Sequence, residues 1–140
     1  MTPEKFIIAK ASEAIQALYG VEVPEAQLQV QVTRKEFEGD YTLVVFPLLK
    51  MSKTTPENTG NAIGEWLKAN VAEVAAYNTV KGFLNISFSE VYWNNVFAEI
   101  AAAEDFGQLP PTGRTIMVEY SSPNTNKPLH LGHIRNNLLG

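Results

Sequence analysis

Both histidines of the chain lie in Pro128-Leu129-His130-Leu131-Gly132-His133-Ile134-Arg135, three positions apart. On a helix that spacing puts the two imidazoles on one face. The apolar run before them, residues 115–120, reads as a buried strand. Residues 121–129 then read as a loop and residues 130–140 as a helix. The pair therefore falls at a helix N-terminus just after a strand. Free backbone N–H groups and the positive end of the helix dipole favour a phosphate there. Imidazole N–H groups add donors aimed at the same anion. Gly132 leaves room for a flat base or a ribose to approach the backbone. This is the chemistry of a nucleoside-triphosphate site at the end of a parallel strand. Two plainer readings stand beside it. The histidines can simply cap the helix. A metal site needs a third ligand, for which only Glu119 is near in sequence, and the expectation is no metal.

Strand, loop and helix make half of a βαβ unit. Upstream of them, Gly-Gln-Leu-Pro-Pro-Thr-Gly at residues 107–113 is the clearest linker, because adjacent prolines break a helix and stiffen the chain. The expected domains are 1–112 and 113–140. The first 106 residues have an α+β pattern. Spacings of three and four predict a helix through Phe6, Ile7, Ile15 and Leu18, capped by Thr2 with Pro3 at its first position and stopped by Gly20. Strands are expected over residues 28–32 and 41–46, with a turn at residues 38–40. A polar connection, residues 51–58, leads to a helix capped by Asn58 or Thr59 and running to Asn70. Two strands, 74–80 and 83–88, meet through Lys81-Gly82 with hairpin spacing. A last helix is capped by Ser89, with Val91, Trp93, Val96, Phe97 and Ile100 as its expected buried face.

The whole chain has 140 residues, 45% hydrophobic and 19% charged, which is a globular composition and excludes disorder as the dominant state. Cysteine is absent, so disulfides, thiolate zinc sites and cysteine nucleophiles are excluded, in keeping with a reducing compartment. A formal net charge of −4 argues against a purely electrostatic nucleic-acid binder while leaving room for a local basic site. No apolar run is long enough for a membrane span, and Met1-Thr2-Pro3-Glu4-Lys5 has no secretory pattern. The expectation is a cytoplasmic protein with no membrane partner. The chain stops at Gly140 inside an apolar periodic segment, which reads as a cut rather than a natural end.

The stretch Val-Glu-Tyr-Ser-Ser-Pro-Asn-x-x-Lys-Pro-Leu-His-Leu-Gly-His-Ile-Arg, residues 118–135, resembles the "HIGH" signature region of class I aminoacyl-tRNA synthetases, in the wording of the arginyl enzymes. Small nucleotidyltransferases also carry His-x-Gly-His, but close to the N-terminus and after a different loop. The resemblance implies an α+β tRNA-contacting domain, an antiparallel sheet with helices, followed by the first β-loop-α of a Rossmann catalytic domain. It implies that His130, Gly132 and His133 bind ATP, with His130, His133 and Lys127 catalytic. It places arginine contacts on Glu119, Ser121 and Asn124. In the first domain it rests more loosely on Gly39-Asp40-Tyr41 and Gly82-Phe83-Leu84-Asn85-Ile86, and implies that Lys81, Phe83 and Asn85 contact the tRNA D-loop. Here Phe83 would stack on a base, or else fill the core as an ordinary strand residue. The hairpin reads Val-Lys-Gly-Phe, where the family usually has Gly-Pro-Gly-Phe.

The implied partners are tRNA(Arg), arginine and ATP, with Mg²⁺ in a full-length, monomeric parent, and the piece alone is expected to be inactive. The alternatives are a stand-alone RNA-binding module and a small nucleotidyltransferase. Lys50-Met51-Ser52-Lys53-Thr54 resembles the second class I signature, "KMSKS", but precedes the histidines by about 80 residues and is read as a chance match in a polar turn.

Overall fold

The computed structural model describes residues 2–140. It divides into two compact units, Met1–Glu104 and Asp105–Gly140.

In the first unit, helix α1 (Pro3–Tyr19) begins at Thr2, whose side chain accepts from the Lys5 N–H, and ends at Gly20 with φ 66°. Its buried stripe is Ile7, Ala11, Ala14 and Ile15. Strands β1 (Val30–Val32) and β2 (Tyr41–Val44) follow, and Pro47 lies in a 3₁₀ turn that stops β2. The short helix α2 (Leu49–Ser52) ends at Lys53 with φ 52°, so Lys50-Met51-Ser52-Lys53 forms one helical turn and its cap rather than an open polar turn.

Helix α3 (Pro56–Asn70) starts three residues earlier than expected. Thr55 is its cap, accepting from Asn58 N–H, and Pro56 takes the first position, where no N–H is needed. Thr59 is inside the helix instead, with its hydroxyl donating to the Thr55 carbonyl at 2.9 Å. Gly60 and Gly64 let α3 lie against the next strand, since a Cβ at either would come within 2.6 Å of Thr79 or Tyr77 atoms.

Strands β3 (Val74–Val80) and β4 (Phe83–Phe88) form the expected two-residue hairpin, with Lys81 at φ 48° and Gly82 at φ 80°. Two consecutive positive φ values match the right-handed twist of the strands they join. The sheet is antiparallel throughout, in the order β1-β2-β4-β3. Leu43 and Leu84, paired in register, and Ile86 face the core together with Ile7, Ile15, Ile63 and Leu67. The alternation of β4 therefore sends Phe83 and Asn85 to the other face.

Helix α4 (Glu90–Ala102) is capped by Ser89 as expected, but its inner face differs. Tyr92 is its buried residue, stacked on Phe88 with centroids 4.0 Å apart, and Val96 packs one turn on. Val91, at 65% exposure, and Phe97, at 72%, face outward. The cap and the Phe88 ring fix the rotation of the helix, and the apolar pattern is wider than the surface it covers. Burial, with Glu4 nearby, raises the Tyr41 and Tyr92 hydroxyls above their ordinary pKa of 10.0.

In the second unit, helix α5 (Leu131–Leu139) is as expected, but residues 115–120 form no strand. A parallel strand exists only through ladder bonds to neighbours, and no strand lies beside it in the described residues of this unit. No described helix is long and apolar enough to cross a membrane.

Candidate functional site

The histidine pair sits where α5 begins. His130 is the N-cap, and its Nδ1 accepts from the Gly132 N–H at 3.1 Å. His133 reaches back, and its Nδ1 accepts from the His130 N–H at 3.0 Å. The two rings lie 4.2 Å apart. This is a capping box made of imidazoles instead of a hydroxyl and a carboxylate. An Nδ1 that accepts carries no proton, so each neutral ring carries its proton on Nε2. Both histidines thus present a donor edge away from the helix they cap.

An open cleft of about 460 Å³ is lined by Ser121, Ser122, Leu129, His130, His133 and Asn137, among others. Ser121 has φ 58° and donates to Asn137 Oδ1, which ties the loop to α5. Tyr120 packs so closely on Gly140 that a Cβ there would overlap its ring. Glu119, Asn124, Lys127 and Gly132 do not line the cleft. Glu119 Oε1 accepts from Ser122 at 2.7 Å, and the Asn124 carbonyl accepts from the Lys127 N–H in the turn before the helix. In this unit only His133 is partly shielded, and every other residue is exposed. No group of three His, Asp or Glu able to hold a metal occurs among the described residues.

A second, smaller cleft of about 150 Å³ opens on the outer face of the sheet in the first unit. It brings together Lys81, Phe83 and Asn85, the three residues singled out there from the sequence. Phe83 is 37% exposed and lies outside the core cluster, so it does not fill the core. Phe46 supports its ring edge-on at 5.7 Å and also lies over Gly82.

Asn85 is buried at 2% exposure under Gly39, where φ is 124° and a Cβ would press to 3.0 Å on the Asn85 Cβ, so a side chain there is strained. Its Oδ1 accepts from Thr42 Oγ1 at 2.7 Å, across the strand pair in which the two residues face each other. Gln31, Arg34, Phe37 and Thr42 also line this cleft, and sequence reasoning did not single them out. The signal for Arg34 and Phe37 was available as a basic and aromatic mixture in Thr33-Arg34-Lys35-Glu36-Phe37, a pattern that suits nucleic acid.

Comparison with known proteins covers both units. The family "tRNA synthetases class I (R), catalytic domain" matches residues 97–140. Arginine–tRNA ligase of Bacteroides thetaiotaomicron is 54% identical over 100% of the chain and 24% of its own length. The Porphyromonas gingivalis ligase is 54% identical over 93% of the chain and 22% of its own length. The solved structure of Thermus thermophilus arginyl-tRNA synthetase aligns with a TM-score of 0.57 at 26% identity, covering 99% of this chain and 22% of that one. The resemblance to arginyl-tRNA synthetase therefore runs the length of the chain, which spans about a quarter of the curated relatives it matches.

Proposed function

We propose that the chain is part of an arginine–tRNA ligase that activates arginine with ATP and attaches it to tRNA(Arg). The observation that carries this is the end-to-end 54% identity to a ligase of that name. Residues 1–112 are read as the tRNA-contacting domain and residues 113–140 as the start of the Rossmann catalytic domain. His130 and His133 hold their Nε2–H edges toward the triphosphate and stabilise charge on the α-phosphate as the arginine carboxylate attacks it. Donors already fixed by the cap need no reorganisation when that charge develops.

Gly132 lies beside the adenosine, and Lys127 adds positive charge from the turn before the helix. Glu119 faces the guanidinium of arginine, a pairing suited to a charge-assisted bond, with Ser121 and Asn124 as further contacts. Mg²⁺ prefers oxygen ligands and usually rides on substrate phosphates, which suits a unit with no protein cage for a metal. In the first unit, Phe83 supplies a stacking face, Asn85 an amide for a base edge and Lys81 a charge for phosphate at the tRNA D-loop.

The test is to read the gene beyond codon 140 and assay its product. Arginine-dependent ATP–pyrophosphate exchange and charging of tRNA(Arg) are expected, with a loss of about 10²–10³-fold on His133→Ala. The 140-residue piece alone is expected to be inactive. Exchange driven by another amino acid, or a stop directly after Gly140, would overturn the reading.

A further inference from the structure

Asn137 lines the open cleft beside α5, and the proposed function gives it no part. It stands four positions after His133, so the two side chains share one face of the helix. Its Oδ1 accepts from the Ser121 hydroxyl, 16 positions away in sequence. Ser121 has a left-handed backbone, φ 58°, which a residue with a Cβ rarely adopts. The bond to α5 pins the loop at that residue. Both residues are exposed, so the bond adds little to folding.

The same bond fixes what the hydroxyl can offer a ligand. A hydroxyl has one proton and two lone pairs. Ser121 commits its proton to Asn137, and Ser122 commits its proton to Glu119 Oε1 at 2.7 Å. Both serines line the cleft, and each has only lone pairs left for a ligand. The loop side of the cleft therefore accepts, while the helix side donates through the Nε2–H edges of His130 and His133. Arginine divides in the same way. Its guanidinium and α-ammonium groups have only N–H donors, and its carboxylate has only acceptors. The substrate then lies with N–H groups on the loop and its carboxylate toward the histidines.

We infer that Asn137 is a positioning residue for arginine that acts through Ser121. It takes the Ser121 proton and so leaves an acceptor facing the substrate's N–H groups. Without it the hydroxyl turns freely and can set its proton against those groups, and the loop residue loses its tether. The loss falls on arginine binding and not on ATP or the chemical step, because the histidines and their cap are untouched. This inference rests on the reading that the chain is part of an arginine–tRNA ligase in which Ser121 contacts arginine.

The test uses the full-length product of the gene and arginine-dependent ATP–pyrophosphate exchange with tRNA(Arg) present. Asn137→Leu is close in shape and removes the acceptor. The KM for arginine is expected to rise about tenfold, with kcat and the KM for ATP within about twofold of wild type. Asn137→Asp keeps an acceptor and is expected to bring the arginine KM back to within about threefold of wild type. In a Ser121→Ala background no hydroxyl remains to orient, and Asn137→Leu is expected to add less than about twofold. An unchanged arginine KM in Asn137→Leu, no recovery in Asn137→Asp, or an undiminished effect in Ser121→Ala overturns the inference while leaving the ligase standing. A joint rise in both KM values also overturns it, and assigns Asn137 to the stability of α5. If wild type shows no arginine-dependent exchange, the ligase reading falls, and the inference with it.

Discussion

The cleft on the sheet and the histidine pair at the start of α5 are held in place by different means. Asn85 is positioned by strand register. It faces Thr42 on one neighbour and Asn78 on the other, while Leu84 and Ile86 beside it are fully buried. Moving Asn85 requires moving the core of the unit. His130 and His133 are positioned by bonds within four residues, between their own rings and the first N–H groups of a nine-residue helix. The first arrangement is rigid because it is cooperative with the fold. The second is set by short-range geometry and needs no sheet around it.

The contrast is broken most strongly through the core. Leu84→Ala removes a fully buried side chain on the strand whose opposite face carries Phe83 and Asn85. A cost of about 2–5 kcal/mol is expected in urea unfolding of the first unit. A cost well under 1 kcal/mol would mean that the outer face is not anchored by the inner one.

In the second unit the corresponding break is smaller. His130→Ala removes the cap acceptor for Gly132 N–H and leaves its partner ring unsupported. A loss of about 1 kcal/mol of helix stability is expected, read as lower helicity in residues 131–139 by amide exchange or chemical shifts. His130→Asn keeps a cap acceptor and should recover most of that loss. If His130→Ala leaves the helix unchanged, the imidazole box is not what sets its start.

How much could be read from the sequence divides along the same line. Thr2, Gly20, Ser89 and the Lys81-Gly82 turn were legible because each acts on residues within one turn of itself. The histidine helix was legible for the same reason. The partnership of Thr42 with Asn85 was not, since it spans 43 positions and depends on register that only the folded sheet defines. The start of α3 was misplaced because three candidate caps, Thr55, Asn58 and Thr59, lie within five residues, and Pro56 decides among them. The inner face of α4 was misread because hydrophobicity alone does not say where a helix is rotated, and the Phe88 ring does. Residues 115–120 have a strand's composition, yet a strand is a property of its neighbours as well.

The weakest expected effect separates register from side-chain bonding within the first unit. Tyr77 donates to Glu65 Oε2 at 2.8 Å, linking β3 to α3 above the close approach at Gly64. That hydrogen bond, followed by burial, raises the tyrosine above its ordinary value of 10.0. A raised value means that the folded state holds the phenolic proton more tightly than the unfolded state does. The contribution is then fully present below about pH 10, the ordinary tyrosine value, and is lost as pH climbs through the folded value. Tyr77→Phe keeps the ring that fills the space over Gly64 and removes only the hydroxyl. The bond is partly open to water, so a cost of about 0.5 kcal/mol is expected near neutral pH, vanishing at the alkaline end. Parallel urea titrations of wild type and Tyr77→Phe at several pH values check this. A difference that persists unchanged through the alkaline range would mean that the effect does not come from the protonated hydroxyl's bond with Glu65.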